Sequence, residues 1–500
     1  MTYDRRLKEF RNMITQAEYY DYILNTVVFW DKALIMPKKS IEYRSSVISF
    51  LGDKRYRLLS SPEFAEYITY FDGNKENSEV TEAMIRNLKQ SSEGISAIPQ
   101  NEYKRYITLI AKSEQIWEEA KVTNDFEKFL PYLKEIMATF RKFADYWGYE
   151  KEPYDALLNF YVEDFSCDKV DKLIEPLKPA LIEFNYEQNH KARKGVDKDQ
   201  IKKILGDVPV EKQLEIWKYI LKEIGFDFEC GRVDPGPYTT ILANNPTDVR
   251  IINSYEPDDI TVGIFNVLHS GGKGIYQQNI DLSLMGTMLA DPPSCAIKES
   301  IGRFYENIIG KNYGFWQRIF HGLCQILPDI EKVGIDNMYS YINRTDAGPI
   351  RISAGESTYL LHIIIRYELE RHLIAGNIDE EECRRIWNEK YKEYLGVNVK
   401  SDSDGILQDI HWASGYIGYF PTYILANIVS AQFTGIMENE LGSLDSLLEK
   451  EGIGKINEWM KANVYKYGSL YDSYDLIKTA SGEELNPQYY MDYLRKKFSL

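Results

Sequence analysis

The sequence predicts a mainly α-helical protein with one small β-sheet beside a candidate site. Three observations carry this. Apolar residues recur three and four apart among charged ones through most of the 500 residues, which is the spacing of helices that bury one stripe. The breaks between these runs are short, with no long Gly/Ser/Pro linker and no repeat of fixed period. One stretch switches to alternating polar and β-branched residues. Residues 1–500 therefore read as a single domain with room for two lobes.

From the amino terminus, MTYDRRLKEFRNMITQAEYY is charged from its fourth residue and lacks the apolar core of a signal peptide. FDGNKENSE (71–79) is a turn-rich break. Residues 101–148, NEYKRYITLIAKSEQIWEEAKVTNDFEKFLPYLKEIMATFRKFADYWG, carry helical spacing throughout. So does SCDKVDKLIEPLKPALIEFNYEQNHKARK (166–194). PVEKQLEIWKYILKEIG (209–225) opens on Pro209, placed where a helix start tolerates a missing N–H. CGRVDPGPYTT (230–240) reads as a second break. TDVRIINSYEPDDITVGIFNVL (247–268) then alternates, so Asp248 to Ser254 is expected to be a strand and Glu256-Pro257-Asp258-Asp259 a turn. A helix carrying His269 follows.

Composition narrows the function classes. At 44% hydrophobic and 27% charged the chain is an ordinary globular protein with a large core. A formal charge of -16 disfavours nucleic acid as a partner, because phosphate binding needs clustered Lys and Arg. No stretch approaches the roughly 18 apolar residues of a membrane helix; YLLHIIIRYELE is short and contains Arg366 and Glu368. Cys167, Cys230, Cys295, Cys324 and Cys383 form no C-x-x-C pair. Free thiols in a cytoplasmic setting are the expectation.

NVLHSGGKGIYQQ (266–278) has the outline of the zinc-peptidase helix H-E-x-x-H. In that motif two histidines one turn apart bind the metal, and the glutamate takes a proton from the bound water. Here His269 remains, Ser270 stands at the glutamate and Lys273 at the second histidine. Glu299, in PPSCAIKESIGRFYEN, falls on a later helix and is the candidate third ligand. Two ligands seldom hold zinc, and a protonated lysine repels it. On spacing alone, His269 is an ordinary helix histidine more often than a ligand. His362, inside an apolar run, reads as a core residue.

TDVRII, GPIRISAGESTYLLHIIIRYELE and GILQDIHWASGYIGYFPTY weigh on the other side. With the altered histidine motif they resemble the carboxypeptidase Taq family of thermostable zinc carboxypeptidases. That family carries D-x-R-x-T, H-E-x-x-H, H-E-S, I-R-x-x-A-D-E-x-T-Y and G-x-x-Q-D-x-H-W in this order. FWDKALIMP, EPYDALL, FDFECGRVD and SGEELNP extend the likeness to nearly the whole chain. Departures concentrate at the chemistry: Ile252, Ser270, Lys273, Lys298 and Gly355 replace the threonine, glutamate, second histidine, third-motif histidine and aspartate.

The resemblance implies a helical two-lobed cradle with a deep central groove, the small sheet beside the site helix, and a homodimer. It makes His269 and Glu299 remnant ligands, with the Lys273 ammonium expected against Glu299 in the vacated metal position. It puts His411 near substrate, with Ser270 at the general-base position. Arg250 and Arg351 become candidates for gripping a peptide's terminal carboxylate, for which a guanidinium fork is suited. Gln408 and Asp409 either contact substrate or hold their loop; Tyr419 and Tyr423 either donate to a peptide carbonyl or pack beside Phe420 and Pro421. The expected function is a metallocarboxypeptidase relative without its metal and base, inactive or strongly impaired, binding peptide C-termini and needing no cofactor. Two alternatives stand beside it: an active carboxypeptidase using zinc or cobalt through an altered ligand set, and a regulatory or structural partner of an active relative.

Overall fold

Helices and one three-stranded sheet make up the computed structural model, which describes residues 2–190, 198–344 and 347–498. The chain divides into two compact units. The first comprises Met1–Ser92, Gly195–Ile342 and Phe433–Glu484, and the second Glu93–Lys194, Asn343–Gln432 and Leu485–Leu500. Among the described residues no helix is long and apolar enough to cross a membrane.

In the first unit the sheet has the order β1-β3-β2, where β1 is Gly231–Pro235, β2 is Thr240–Asn245 and β3 is Asp248–Asn253. β3 pairs parallel with β1 and antiparallel with β2. The central strand is the alternating stretch seen in the sequence, ending one residue before Ser254. Its Val249, Ile251 and Ile252 are buried. CGRVDPGPYTT is not simply a break, because β1 and the start of β2 lie in it. Both strands are short and each buries a single side chain, Val233 or Leu242, so no alternation is visible beside Gly231, Pro235 and Gly236. Trp30 packs on Leu242 and Ile252, with Ala33 and Leu34 against them.

The expected turn closes as a bridge between Glu256 and Asp259. Asp259 then caps the next helix, Ile260–Gln278, by accepting from the Thr261 N–H. This is the His269 helix. Its glycines let neighbours press onto its backbone. A Cβ at Gly272 would lie 2.4 Å from a Tyr305 ring carbon, so nothing larger fits without displacement.

In the second unit residues 101–148 form two helices, Gln100–Thr123 and Phe126–Trp147. They part at Asn124, which is left-handed at φ 56°, and Asp125 caps the second helix through the Lys128 N–H. The helix Glu356–Ile374 is buried on almost every face, including at Arg366 and Glu370. A charged group so placed needs partners: Arg366 is paired with Asp409, and Glu370 accepts three hydrogen bonds.

Candidate functional site

The His269 helix lies against the short helix Cys295–Arg303, whose first turn is capped by the Ser294 hydroxyl accepting from the Ile297 N–H. Gly302 faces His269 so closely that a Cβ there would sit 2.6 Å from the imidazole. After Arg303 the backbone widens into a π-turn, Phe304–Ile309, which presents Glu306. Such turns often occur at functional sites.

These elements assemble a continuous chain of charges. The Lys273 Nζ lies 2.5 Å from Glu299 Oε1, the pairing expected from the sequence. Glu299 Oε2 lies 3.2 Å from His269 Nε2, and His269 Nδ1 lies 2.9 Å from Glu306 Oε2. Arg303 donates to both Glu306 oxygens at 3.3 and 3.1 Å. Burial alone would raise the Glu299 carboxyl, but Lys273 and His269 outweigh it and hold it well below the usual range. Glu306 is likewise raised by burial and lowered further by Arg303 and His269, to about 2.

Around His269 the described residues bring no three metal-donor atoms within reach of one another. Zinc needs at least three donors of lone pairs. Of the three positions the resemblance marks, two offer lone pairs, the His269 imidazole and the Glu299 carboxylate, while the third is the Lys273 ammonium, which has no acceptor capacity. Ser270 is buried but carries no carboxylate to take a proton from water. Lys298 is turned toward Asp291, 3.4 Å away. A second group of possible donors, Glu152, Asp155 and Cys167, is already engaged in structure: Glu152 accepts from Arg371, and Asp155 accepts from the Cys167 N–H.

The remaining motif residues are distributed between the units. Arg250 belongs to the first, on β3. Its fork binds both oxygens of Asp248 at 2.8 Å and lies 5.5 Å from the centre of the Trp30 ring. Arg351 belongs to the second. Its fork grips Asp409, with Nη2 donating at 2.8 Å, and its Nη1 donates to the Tyr359 hydroxyl at 3.1 Å. Arg366, fully buried, donates to the other Asp409 oxygen at 2.8 Å. Burial would raise Asp409, but the two guanidiniums hold it far below the usual carboxylate range. Each arginine expected to grip a ligand is thus already in a two-oxygen ion pair.

Gln408 is committed to its loop. Its Oε1 accepts from the Arg351 N–H at 2.8 Å, and its Nε2 donates to the carbonyls of Pro349, Asp404 and Gly405. His411 is half-buried in an aromatic row, its ring centre 4.6 Å from Phe420 and 5.9 Å from Tyr419. Tyr419 meets Tyr423 edge to face at 5.4 Å. His362 is a core residue sharing a 2.9 Å hydrogen bond with Tyr391, and burial beside Arg366 keeps it well below the usual histidine range. Sequence reasoning did not single out Glu306, Arg366, Asp409 as their common anion, or Glu370. For Glu306 the available signal is its position seven residues after Glu299, two helical turns on. For Arg366 and Glu370 it is the presence of charge inside an apolar run.

The geometry stands on a known scaffold. The sequence matches the carboxypeptidase Taq (M32) metallopeptidase family over residues 9–498. It is 37% identical over 496 residues to carboxypeptidase 1 of Bacillus subtilis, covering 98% of each chain. It is 30% identical to thermostable carboxypeptidase 1 of Thermus thermophilus, covering 95% of each. Its structure is similar to that of Pyrococcus furiosus carboxypeptidase, with a TM-score of 0.94 at 29% identity over 100% of this chain and 99% of that one. Matched along nearly its whole length in sequence and in fold, the chain belongs to the carboxypeptidase Taq (M32) metallopeptidases.

Proposed function

We propose that this chain has exchanged its family's metal for an internal ammonium and binds peptide C-termini without hydrolysing them. One observation carries the reading: Lys273 Nζ lies 2.5 Å from Glu299, where a third metal donor would have to stand. An ammonium there neutralises a carboxylate that is otherwise costly to bury. It also supplies neither a Lewis acid nor an activated water. Losing the general base at position 270 removes about a further 10²- to 10⁴-fold of rate. What the second unit retains for recognition is the His411 ring and the Tyr419 and Tyr423 side chains beside it.

The test uses protein purified without chelator. Elemental analysis after dialysis against excess zinc should find far less than one ion per chain. Mass spectrometry of a peptide mixture should find no released C-terminal amino acid above a chelator-treated blank. A labelled peptide with a free C-terminus should bind, and its C-terminal amide should not. Chelator-sensitive trimming of peptides would overturn the reading.

One feature favours the reading of an active enzyme with an altered ligand set. Glu306 at 2.9 Å from His269 Nδ1 is the kind of carboxylate partner that orients a metal-ligating imidazole. One tightly held ion per chain would decide for that alternative.

A further inference from the structure

The loop carrying His411 is fixed at two buried anions. Asp409 holds one end, between Arg351 and Arg366. The other is Glu370, a fully buried carboxylate on the last turns of Glu356–Ile374. Three donors from two separate segments converge on it. The Trp412 indole donates to Oε1 at 2.6 Å, while the Tyr154 hydroxyl and the Gly418 N–H donate to Oε2 at 2.6 and 2.8 Å. Trp412 directly follows His411, and Gly418 directly precedes Tyr419. Gly418 has φ +87°, and a Cβ on it would lie 3.0 Å from the Leu157 backbone, so the loop is seated as closely as glycine allows. Between the two anchors Trp412, Ala413 and Ile417 are buried, whereas His411 is half-buried and Tyr416 exposed.

Two of the three donors, an indole and a backbone amide, cannot act as acceptors. A carboxylate satisfies all three at once. An amide in its place turns an NH₂ toward one of them, and a protonated acid turns an O–H that only the Tyr154 oxygen can accept.

We propose that Glu370 is a positioning residue for the His411 loop: as an anion it pins Trp412 and Gly418 and so sets the His411 and Tyr419 rings for a peptide ligand. The proposal rests on the peptide-binding reading given above. The charge state of Glu370 is within reach of ordinary conditions, since burial pushes it up to about 7 against the hydrogen bonds and Arg366. The groups around it are the Tyr154 phenol, the Arg366 guanidinium, the Cys383 thiol, the Trp412 indole and the Gly418 amide.

The test is the affinity of a fluorescein-labelled alanine pentapeptide with a free C-terminus, measured from pH 5.5 to 8.5. It compares the wild type with Glu370→Gln, Tyr154→Phe and His411→Ala. Wild-type affinity should rise as pH passes through about 7. Glu370→Gln should bind about tenfold more weakly at high pH, the scale of one hydrogen bond to a charged group, and lose the inflection. Tyr154→Phe, which removes a hydrogen bond that favours the anion, should keep high-pH affinity but move the inflection upward. His411→Ala should weaken binding while keeping the inflection, which assigns the titration to Glu370. If the wild type binds and Glu370→Gln copies its affinity and pH profile, the proposal fails. If the wild type does not bind the peptide, the binding reading fails instead. Hydrogen exchange of residues 410–418 at pH 6 and 8 then judges the loop: protection that rises with pH in the wild type and not in Glu370→Gln supports the positioning role. Equal protection in both overturns it. Should Glu370→Gln not fold, the upward shift in Tyr154→Phe decides, and its absence refutes the proposal.

Discussion

Replacing Lys273 by methionine removes an ammonium and keeps most of its volume. The two partners are 12% and 11% exposed, so their interaction is little screened by water. Breaking such a pair costs about 3–5 kcal/mol, because the remaining charge is left buried without its partner. Here His269 Nε2 stays 3.2 Å from Glu299 and limits the loss, which places the expectation at about 3 kcal/mol, the low end of that range. With about 2.1 cal/mol/K of unfolding entropy per residue, a chain of this length loses about 3 °C in Tm. Lys273→His should show a similar fall in chelator and regain about 3 kcal/mol when zinc is present at a hundred times its Kd. Thermal scans of the three proteins, each with chelator and with zinc, read all of this. The wild type should melt at one temperature in both conditions. A wild type that melts lower in chelator, or a Lys273→Met variant as stable as the wild type, would refute the idea that the ammonium occupies the metal's place.

Three further expectations follow from other parts of the structure. Ser270→Glu combined with Lys273→His should take up about one zinc per chain by elemental analysis, with weak peptide hydrolysis that improves when Lys298→His is added; small misplacements of positioning residues can cost about 10²-fold. Urea melts against pH should show two opposite slopes. Glu306, lowered to about 2, contributes stability that is present above its ordinary 4.5 and is lost as pH falls through about 2. Glu370, raised to about 7, contributes stability that is full below 4.5 and is lost as pH rises through about 7, and Glu370→Gln should remove that second slope. Finally, Arg351→Ala leaves Asp409 buried with Arg366 alone and should destabilise by about 3 kcal/mol in chemical denaturation. Arg250→Ala breaks a more exposed pair, 20% and 19% open, and should cost about 1 kcal/mol.

The sequence showed what local pattern and motif order encode. Helical spacing located Gln100–Thr123, Phe126–Trp147 and Val210–Glu223, and Pro209 marked the start of the last. β3 was readable because it is central and buries its β-branched residues, whereas β1 and β2 are edge strands with one buried side chain each. The Lys273–Glu299 pair was legible because the motif order set both positions against one another, and opposite charges there attract. Glu306 lies two helical turns after Glu299, but its contact with His269 is made through a π-turn that the sequence does not announce. The Asp409 and Glu370 clusters were hidden for another reason. Their partners come from segments tens to hundreds of residues apart, such as Tyr154 and Glu370, and only the folded chain brings them together. Gln408 illustrates the limit of motif reasoning, since an intact motif does not tell a ligand contact from a loop brace.

The glycines of the His269 helix have a consequence for how this site can change over generations. Trp217, Leu221, Tyr305 and Phe226 press on the backbone at Gly263, Gly271, Gly272 and Gly274, at distances where an added methyl would collide. A side chain at Gly263, Gly272 or Gly274 forces an aromatic ring or the helix itself to shift, whereas at Gly271 the ends of Leu221 and Ile224 can give way. Positions 270 and 273 are held by side chains instead: Ser270 is buried and Lys273 is paired with Glu299. Mutational drift along this helix is therefore channelled: a side chain at 270 or 273 can be exchanged for one that finds a new partner, while the backbone platform that aims it is harder to change. A library that randomises residues 263–274 should return folded variants that keep Gly263, Gly272 and Gly274 more often than they keep Ser270 or Lys273, so new chemistry can be sought here without redesigning the scaffold.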